Sequence, residues 1–142
     1  MEAVSRGNLP CLAVDMGTAT TFTVVDKAGV MVGTAIAPGV HLVLEALRQQ
    51  AAQLPSVILD QSVQLIGKNT MDSISSGVLY GAASMVDGMI QRLREQLGEE
   101  PTVYLTGPDA PYVADLMREK TVREPHLALM GLRKIWEKNK KK

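Results

Sequence analysis

The sequence carries a single cysteine in 142 residues, which excludes an internal disulfide and a cysteine-built zinc centre. Cys11 lies in an apolar run over residues 9–14, where a buried, unreactive thiol is expected. Aromatic residues are also scarce, at 4% with one Phe and one Trp. So few rings cannot build base-stacking platforms, and the core must be aliphatic and small-residue packed. A surplus of either charge is missing too. Fifteen Lys and Arg balance fifteen Asp and Glu, which excludes holding nucleic acid through bulk charge. No apolar run approaches the roughly 18 residues that cross a membrane. Residues 1–6 lack the basic-then-apolar pattern of a signal peptide. Neither nucleic acid nor a membrane is expected as a partner, and the cytoplasm is the expected location. There is no internal repeat, and the one biased segment is the basic tail at residues 138–142, of a kind usually solvated.

What is present is globular: 46% hydrophobic and 21% charged residues, enough for one core and one domain over 1–142. Residues 11–14, 20–25 and 30–37 are apolar or β-branched and are separated by Gly- and Asp-containing turns, which predicts three strands broken at Pro38-Gly39. The period changes at Val40. Leu42, Leu44, Leu47 and Ala51 predict a helix ending before Pro55. Residues 56–65 read as extended loop with room for one strand. A second, longest helix is predicted from Thr70, whose side chain is expected to cap it with Asp72 in the first turn. Its apolar stripe is Ile74, Val78, Ala82, Met85, Val86, Ile90, Leu93 and Leu97, and Gly98 ends it. A strand over 102–106, a helix over about 110–117 and a last helix over 126–136 complete a mixed α/β pattern.

Two constellations carry chemistry. Asp15-Met16-Gly17-Thr18-Ala19-Thr20-Thr21 joins the first two predicted strands. Gly17 allows close approach of an oxyanion, and successive N–H groups with the hydroxyls of Thr18, Thr20 and Thr21 offer convergent donors. A carboxylate there repels phosphate unless a cation lies between, so Asp15 implies a bound metal. The competing reading is an ordinary hairpin whose threonines serve strand propensity. Ile66-Gly67-Lys68-Asn69-Thr70 precedes the longest helix, where amides and a hydroxyl can meet a ligand; a plain capped helix start is the alternative. Lys68 is a lesser candidate for neutralising phosphate.

These residues, with Ile36-Ala37-Pro38-Gly39, Leu54-Pro55, Gly77 and Gly81, Asp87-Gly88, Thr106-Gly107, Gly131-Leu132, Trp136-Glu137 and Asn139, resemble the type III pantothenate kinases, a family that includes the Bvg accessory factors. The likeness runs in order from about residue 9 to residue 139. It implies an actin-like α/β domain of the acetate and sugar kinase type, with a ribonuclease H-like mixed sheet flanked by helices. It further implies ATP-dependent phosphorylation of pantothenate at the start of coenzyme A synthesis, with magnesium and a monovalent cation such as potassium or ammonium. By motif position, Asp15 matches the cation ligand, and Gly17, Thr18, Thr20 and Thr21 match the ATP-phosphate turn. Thr70, with Asn69 beside it, matches the pantothenate contact.

Three departures qualify the likeness. The family's Gly-Gly before the Ile-x-Pro-Gly turn is Gly33-Thr34 here. Its Thr-Gly-Gly turn is Thr106-Gly107-Pro108, and proline removes one N–H. The family's amino-terminal domain, with its Asp-x-Gly-Asn-Thr loop and the Gly-x-Asp-Arg motif that supplies the general base, has no counterpart in these residues; Glu2 and Arg6 do not reproduce it. No catalytic residue is therefore assigned. The expectation is a carboxyl-terminal half that needs a complementary half, either from a separate chain or lost by truncation. A non-catalytic nucleotide- or partner-binding protein of the same fold is the alternative. The family also implies a homodimer, to which the small-residue face Gly77, Gly81, Ala82, Ala83 and Ser84 would contribute, against the bland reading of packing within the domain. His41 and His126 read as surface or cap residues, and Asp87 as a hydrogen-bonding partner of a neighbouring loop.

Overall fold

The computed structural model describes residues 8–50, 55–60 and 62–140. Expected features at Glu2, Arg6, Ala51 and Leu54 lie outside that range. Strand β1 (Cys11–Met16) runs antiparallel to β2 (Ala19–Val25), which pairs with β3 (Met31–Pro38) at the sheet edge. On its other side β1 runs parallel to β4 (Thr102–Thr106), followed by a two-residue strand β5 (Val122–Arg123). The order is β3-β2-β1-β4-β5. β5 escapes sequence reading because two exposed residues carry no periodicity.

Side chains alternate across this sheet, so one face takes Leu12, Val14, Met16, Phe22 and Val24 into the main core. Helix α1 (Val40–Gln50) and the long helix α2 (Thr70–Leu97) cover that face. Val78, Leu79, Ala83, Val86 and Ile90 of α2 are buried there, and the remaining predicted stripe residues pack beside them. Burying each such aliphatic side chain contributes about 1.5–3 kcal/mol. In α1 only Val40 is buried, with Leu44 packed beside the core; Leu42 is half exposed because it lies across the helix from Val40.

The far face is thinner. It carries Cys11, Val25 and Tyr104, which Leu127 at the start of α4 (Leu127–Lys140) covers. Cys11 is buried, as expected, and burial pushes its thiol pKa up. Residues 55–60 and 62–69 form no strand; they are tied to α2 by the Ser76 hydroxyl, which donates to the Leu65 carbonyl at 2.5 Å. After β4 the chain turns into a single α-helical turn, α3 (Ala110–Val113), continued as a 3-10 turn (Ala114–Leu116), shorter than the expected helix.

The cap of α2 is a correction. Thr70 is the first helical residue, and Asn69 is the cap. Its Oδ1 accepts from the Asp72 N–H at 2.9 Å, and its Nδ2 donates to the Asp72 carboxylate at 2.7 Å. Asn69 has the extended backbone that a cap needs, with φ −145°. The helix ends at Gly98 as expected, in a left-handed conformation with φ 68°.

Candidate functional site

The β1–β2 hairpin is clamped by backbone from both sides. The Gly17 N–H donates to the Ala19 carbonyl at 3.1 Å and closes the turn. From one side Gly39, just past β3, donates to the Thr18 carbonyl at 3.1 Å. A methyl at Gly39 would lie 2.6 Å from that oxygen and closer still to the Gly17 carbonyl. From the other side Asp109 donates its N–H to the Met16 carbonyl at 2.9 Å. Gly107, with φ 99°, passes so close that a methyl there would lie 2.6 Å from Asp15 Oδ1. Only glycine fits that left-handed, backbone-to-backbone approach. The Pro108 ring lies against Gly17, 3.8 Å from where a Gly17 methyl would be.

The clamp sorts the predicted phosphate residues. Thr18 sits at the tip, is exposed, and its N–H enters none of the turn's bonds. Thr21 stands opposite Asp15 in the β1–β2 register, and Thr106 flanks Asp15 from β4. Facing residues share a side of the sheet, so all three lie on the far face. Thr20 does not join them. It shares the other side with Phe22, is 1% exposed, and its hydroxyl has no partner among the described residues. The Gly17 N–H is likewise spent within the turn. Asp15 and Thr21 therefore share the far face, with Thr18 exposed at the adjoining hairpin tip, a narrower set than the spacing suggests.

The chemistry of the donor set can be compared with the expected cation. Among the described residues no group of three His, Cys, Asp or Glu side chains could hold a metal. Asp15, with neighbouring carbonyl and hydroxyl oxygens, suits an alkali or ammonium ion and falls short of the several carboxylates of a tight divalent site.

The second constellation sits at the start of α2. Gly67 packs against the helix's first turn, where a methyl would lie 2.6 Å from Ser73 Cα. Asn69 commits its side chain to the cap, whereas Thr70 is exposed with its hydroxyl uninvolved. No hydrogen bond joins this knot to the hairpin among the described residues. Beside α1 lies an open cavity of about 320 Å³, lined by His41, Leu44 and Arg48 of α1, by Val57, and by Ile74 of α2; no residue of the hairpin or of 66–70 lines it.

Sequence spacing gave no sign of one arrangement beside the clamp. His41 Nε2 lies 3.2 Å from the carboxylate of Asp109, 68 positions away in sequence, and its ring meets Tyr112 edge-on. Asp109 is 5% exposed; burial raises its pKa, and the nearby His41 opposes that rise. Asp87 is settled as structural. Its buried carboxylate accepts from the Arg118 and Glu119 N–H groups at 2.8 and 3.1 Å. Arg94 then holds Glu119 at 2.7 Å, a bond that lowers the Glu119 pKa.

A mixed five-stranded sheet flanked by helices is consistent with an actin-like domain. Two solved structures share this fold. A conserved Baf family protein of Campylobacter jejuni aligns with TM-score 0.68 and 20% identity, over 99% of this chain and 63% of its own. The ethanolamine utilization protein EutJ of Carboxydothermus hydrogenoformans aligns with TM-score 0.51 and 18% identity, over 90% and 49%. The sequence matches the family model for type III pantothenate kinase over residues 1–92, and the chain belongs to that family. It is 43% identical over 130 residues to the type III pantothenate kinase of Acidothermus cellulolyticus, covering 92% of this chain and 51% of the relative. Over 138 residues it is 43% identical to that of Thermomicrobium roseum, covering 97% and 53%. The chain thus spans about half the length of the curated relatives it matches, their carboxyl-terminal half.

Proposed function

We propose that this chain, a single domain over 1–142, supplies the carboxyl-terminal half of a pantothenate kinase site. Asp15, Thr18 and Thr21 face the ATP phosphates, and the complementary half carries the general base. The observation that carries this reading is the double clamp at Gly39 and Gly107, which holds an exposed Thr18 rigidly at the hairpin tip. Phosphoryl transfer is mainly a matter of positioning and charge neutralisation, and a preorganised turn contributes to both. In this reading the Thr18 N–H and hydroxyl donate to phosphate oxygens. Asp15, with Thr106 beside it, holds potassium or ammonium, which offsets the repulsion between carboxylate and phosphate. Magnesium bound with ATP would supply the remaining charge neutralisation. Thr20 serves the hairpin from within, and Asn69 holds Thr70 in place for the pantothenate contact.

Homodimerisation through α2 belongs to the same proposal. Gly77 and Gly81 meet nothing within 4 Å that a methyl would touch, and Ser84 is exposed, whereas Ala83 is buried and Ala82 packs against the core; the part of the face left open is the one at Gly77, Gly81 and Ser84. Among the described residues no helix is long and apolar enough to cross a membrane; a cytoplasmic location goes with the kinase reading.

One observation favours the alternative, a non-catalytic nucleotide- or partner-binding protein. Pro108 removes an N–H beside the cradle and lies against Gly17. Thermal shifts with ATP, magnesium, potassium and pantothenate, followed by an assay of ATP-dependent pantothenate phosphorylation with a companion chain bearing Asp-x-Gly-Asn-Thr and Gly-x-Asp-Arg, decide between them. Stabilisation by ATP together with activity in the mixture is expected. Stabilisation without activity in any mixture favours the alternative, and no stabilisation by nucleotide contradicts both nucleotide readings.

A further inference from the structure

The two grips on the hairpin are joined to each other. Gly39, which donates to the Thr18 carbonyl, is followed two residues later by His41 in the first turn of α1. Asp109, which donates to the Met16 carbonyl, brings its carboxylate to within 3.2 Å of His41 Nε2. Its own carbonyl accepts from the Tyr112 N–H at 3.1 Å, so N–H, carbonyl and carboxylate are all engaged. A path runs from Met16 through Asp109, the imidazole and Gly39 to Thr18, and the backbone at Gly17 completes it. Two features set this contact apart from an ordinary surface pair, which contributes little. Asp109 is 5% exposed, so its carboxylate needs a partner, and among the described residues the cation within reach is His41. Helix α1 also has no acidic residue of its own in its first turn, where a cation alone is unfavourable and a carboxylate is favoured. Asp109 supplies that charge from another element.

We propose that His41 and Asp109 are positioning residues: they close the two grips into one ring around residues 16–18 and so hold Thr18 where it meets phosphate, an inference that rests on the phosphate-turn reading above. Burial works against an ionised Asp109 and raises its pKa, and the imidazole beside it opposes that rise. Without the imidazole the carboxylate is left to take up a proton or turn to water. The 107–109 turn then loses the contact that fixes it beside Met16. The pair gains charge when the imidazole is protonated, and histidine changes charge between about pH 5 and 8. Tyr112 meets the imidazole edge-on from α3, Glu45 and Arg48 lie further along α1, and α2 lines the shared cavity with Ile74. Glu45 is bound by Arg48 at 2.6 Å and by Gln49 at 2.8 Å, bonds that pull its carboxyl pKa down to about 2 and keep its charge constant near neutral pH. Asp15, past Gly107, lies on the far face.

The test uses the full chain and compares His41→Ala, His41→Gln and Asp109→Asn, with His41→Ala and Asp109→Asn also combined. Amide hydrogen exchange, thermal melting and titration with magnesium ATP in potassium are the readouts. At about pH 6, His41→Ala is expected to speed exchange at the Gly39 and Asp109 N–H groups about tenfold and to weaken ATP binding about three- to tenfold, the signature of a local opening. Its melting temperature is expected to move by no more than about 3 °C, as for a largely exposed side chain. His41→Gln, whose amide still donates to the carboxylate, is expected to recover most of the protection. It should also lose the slackening that the natural chain shows between about pH 6 and pH 8.5. Because the two residues act as one contact, His41→Ala is expected to add little to Asp109→Asn. Unchanged exchange at both amides in His41→Ala overturns the proposal, as does full additivity of the two substitutions. Equal pH dependence of the natural chain and His41→Gln overturns it, and so does faster exchange spread evenly over the sheet. Local opening with ATP binding unchanged also overturns it and leaves the phosphate reading standing. Local opening in His41→Ala, where the natural chain binds no nucleotide, keeps the ring and removes the phosphate reading.

Discussion

The two ends of the sheet's far face are built on opposite terms. At the hairpin end, backbone meets backbone: Gly39 and Gly107 lie so close to residues 15–18 that no side chain fits between them. At the α4 end, one leucine anchors a helix that turns four apolar residues outward. The first end is locked by backbone contacts, and the second leaves apolar side chains exposed. Under the proposed function the rigid end is the one that meets a ligand's charge, since a preorganised turn need not reorganise on binding.

Substitutions at the two ends should therefore differ sharply. Gly107→Ala puts a methyl into the Met16 backbone and the Asp15 carboxylate at positive φ; a loss of about 3–5 kcal/mol by urea unfolding is expected, or failure to fold. Gly39→Ala should fall in the same range. Leu79→Ala, which opens a cavity under α2, should cost about 2–5 kcal/mol. Away from both ends, Glu119→Gln breaks the partly buried pair with Arg94 and should cost about 1–2 kcal/mol. Because hydrogen bonding to Arg94 lowers the Glu119 pKa from 4.5, that contribution is whole above pH 4.5 and fades as pH falls through the lowered value. Glu119→Gln should flatten this part of the acid limb in melts from pH 5 downward. Asp109 has the opposite sign. Its pKa is raised from 3.8 by burial, so its cost is absent below pH 3.8 and appears as pH rises through the raised value. Asp109→Asn should remove that component.

At the start of α2, Asn69→Ala should cost about 1 kcal/mol and Thr70→Ala only a few tenths, which reverses the expectation from sequence that Thr70 is the cap. Smallest of all, Trp136→Ser on α4 should leave the isolated chain within about 0.5 kcal/mol.

Strands β1 to β4, the long helix with its stripe and the Gly98 stop are legible because each has a period or a punctuating residue. The cap of α2 was misplaced by one residue because Asn69 and Thr70 both have capping side chains, and only the backbone at Asn69 selects between them. Thr20 was grouped with Thr18 and Thr21, although strand alternation alone turns it to the other face. The His41–Asp109 pair was illegible, since the partners meet only once α1 and the β4 turn converge on the hairpin. Gly39 and Gly107 stood out in sequence as turn residues, but their grip on residues 15–18 is a tertiary fact. The outward stripe of α4 was half visible: Leu127, Met130 and Ile135 show helical spacing, yet spacing cannot say which side the domain covers.

The central claim is that the hairpin tip receives nucleotide phosphate with help from a cation at Asp15. The most direct measurement is an amide-resolved NMR titration with magnesium ATP, in potassium and again in a bulky organic cation, for the natural chain and Asp15→Asn. The account predicts shifts centred on Gly17, Thr18, Gly39 and Gly107 that are strong in potassium, weak in the organic cation and lost in Asp15→Asn. Shifts confined to other parts of the molecule, or none at the hairpin in either salt, would contradict it.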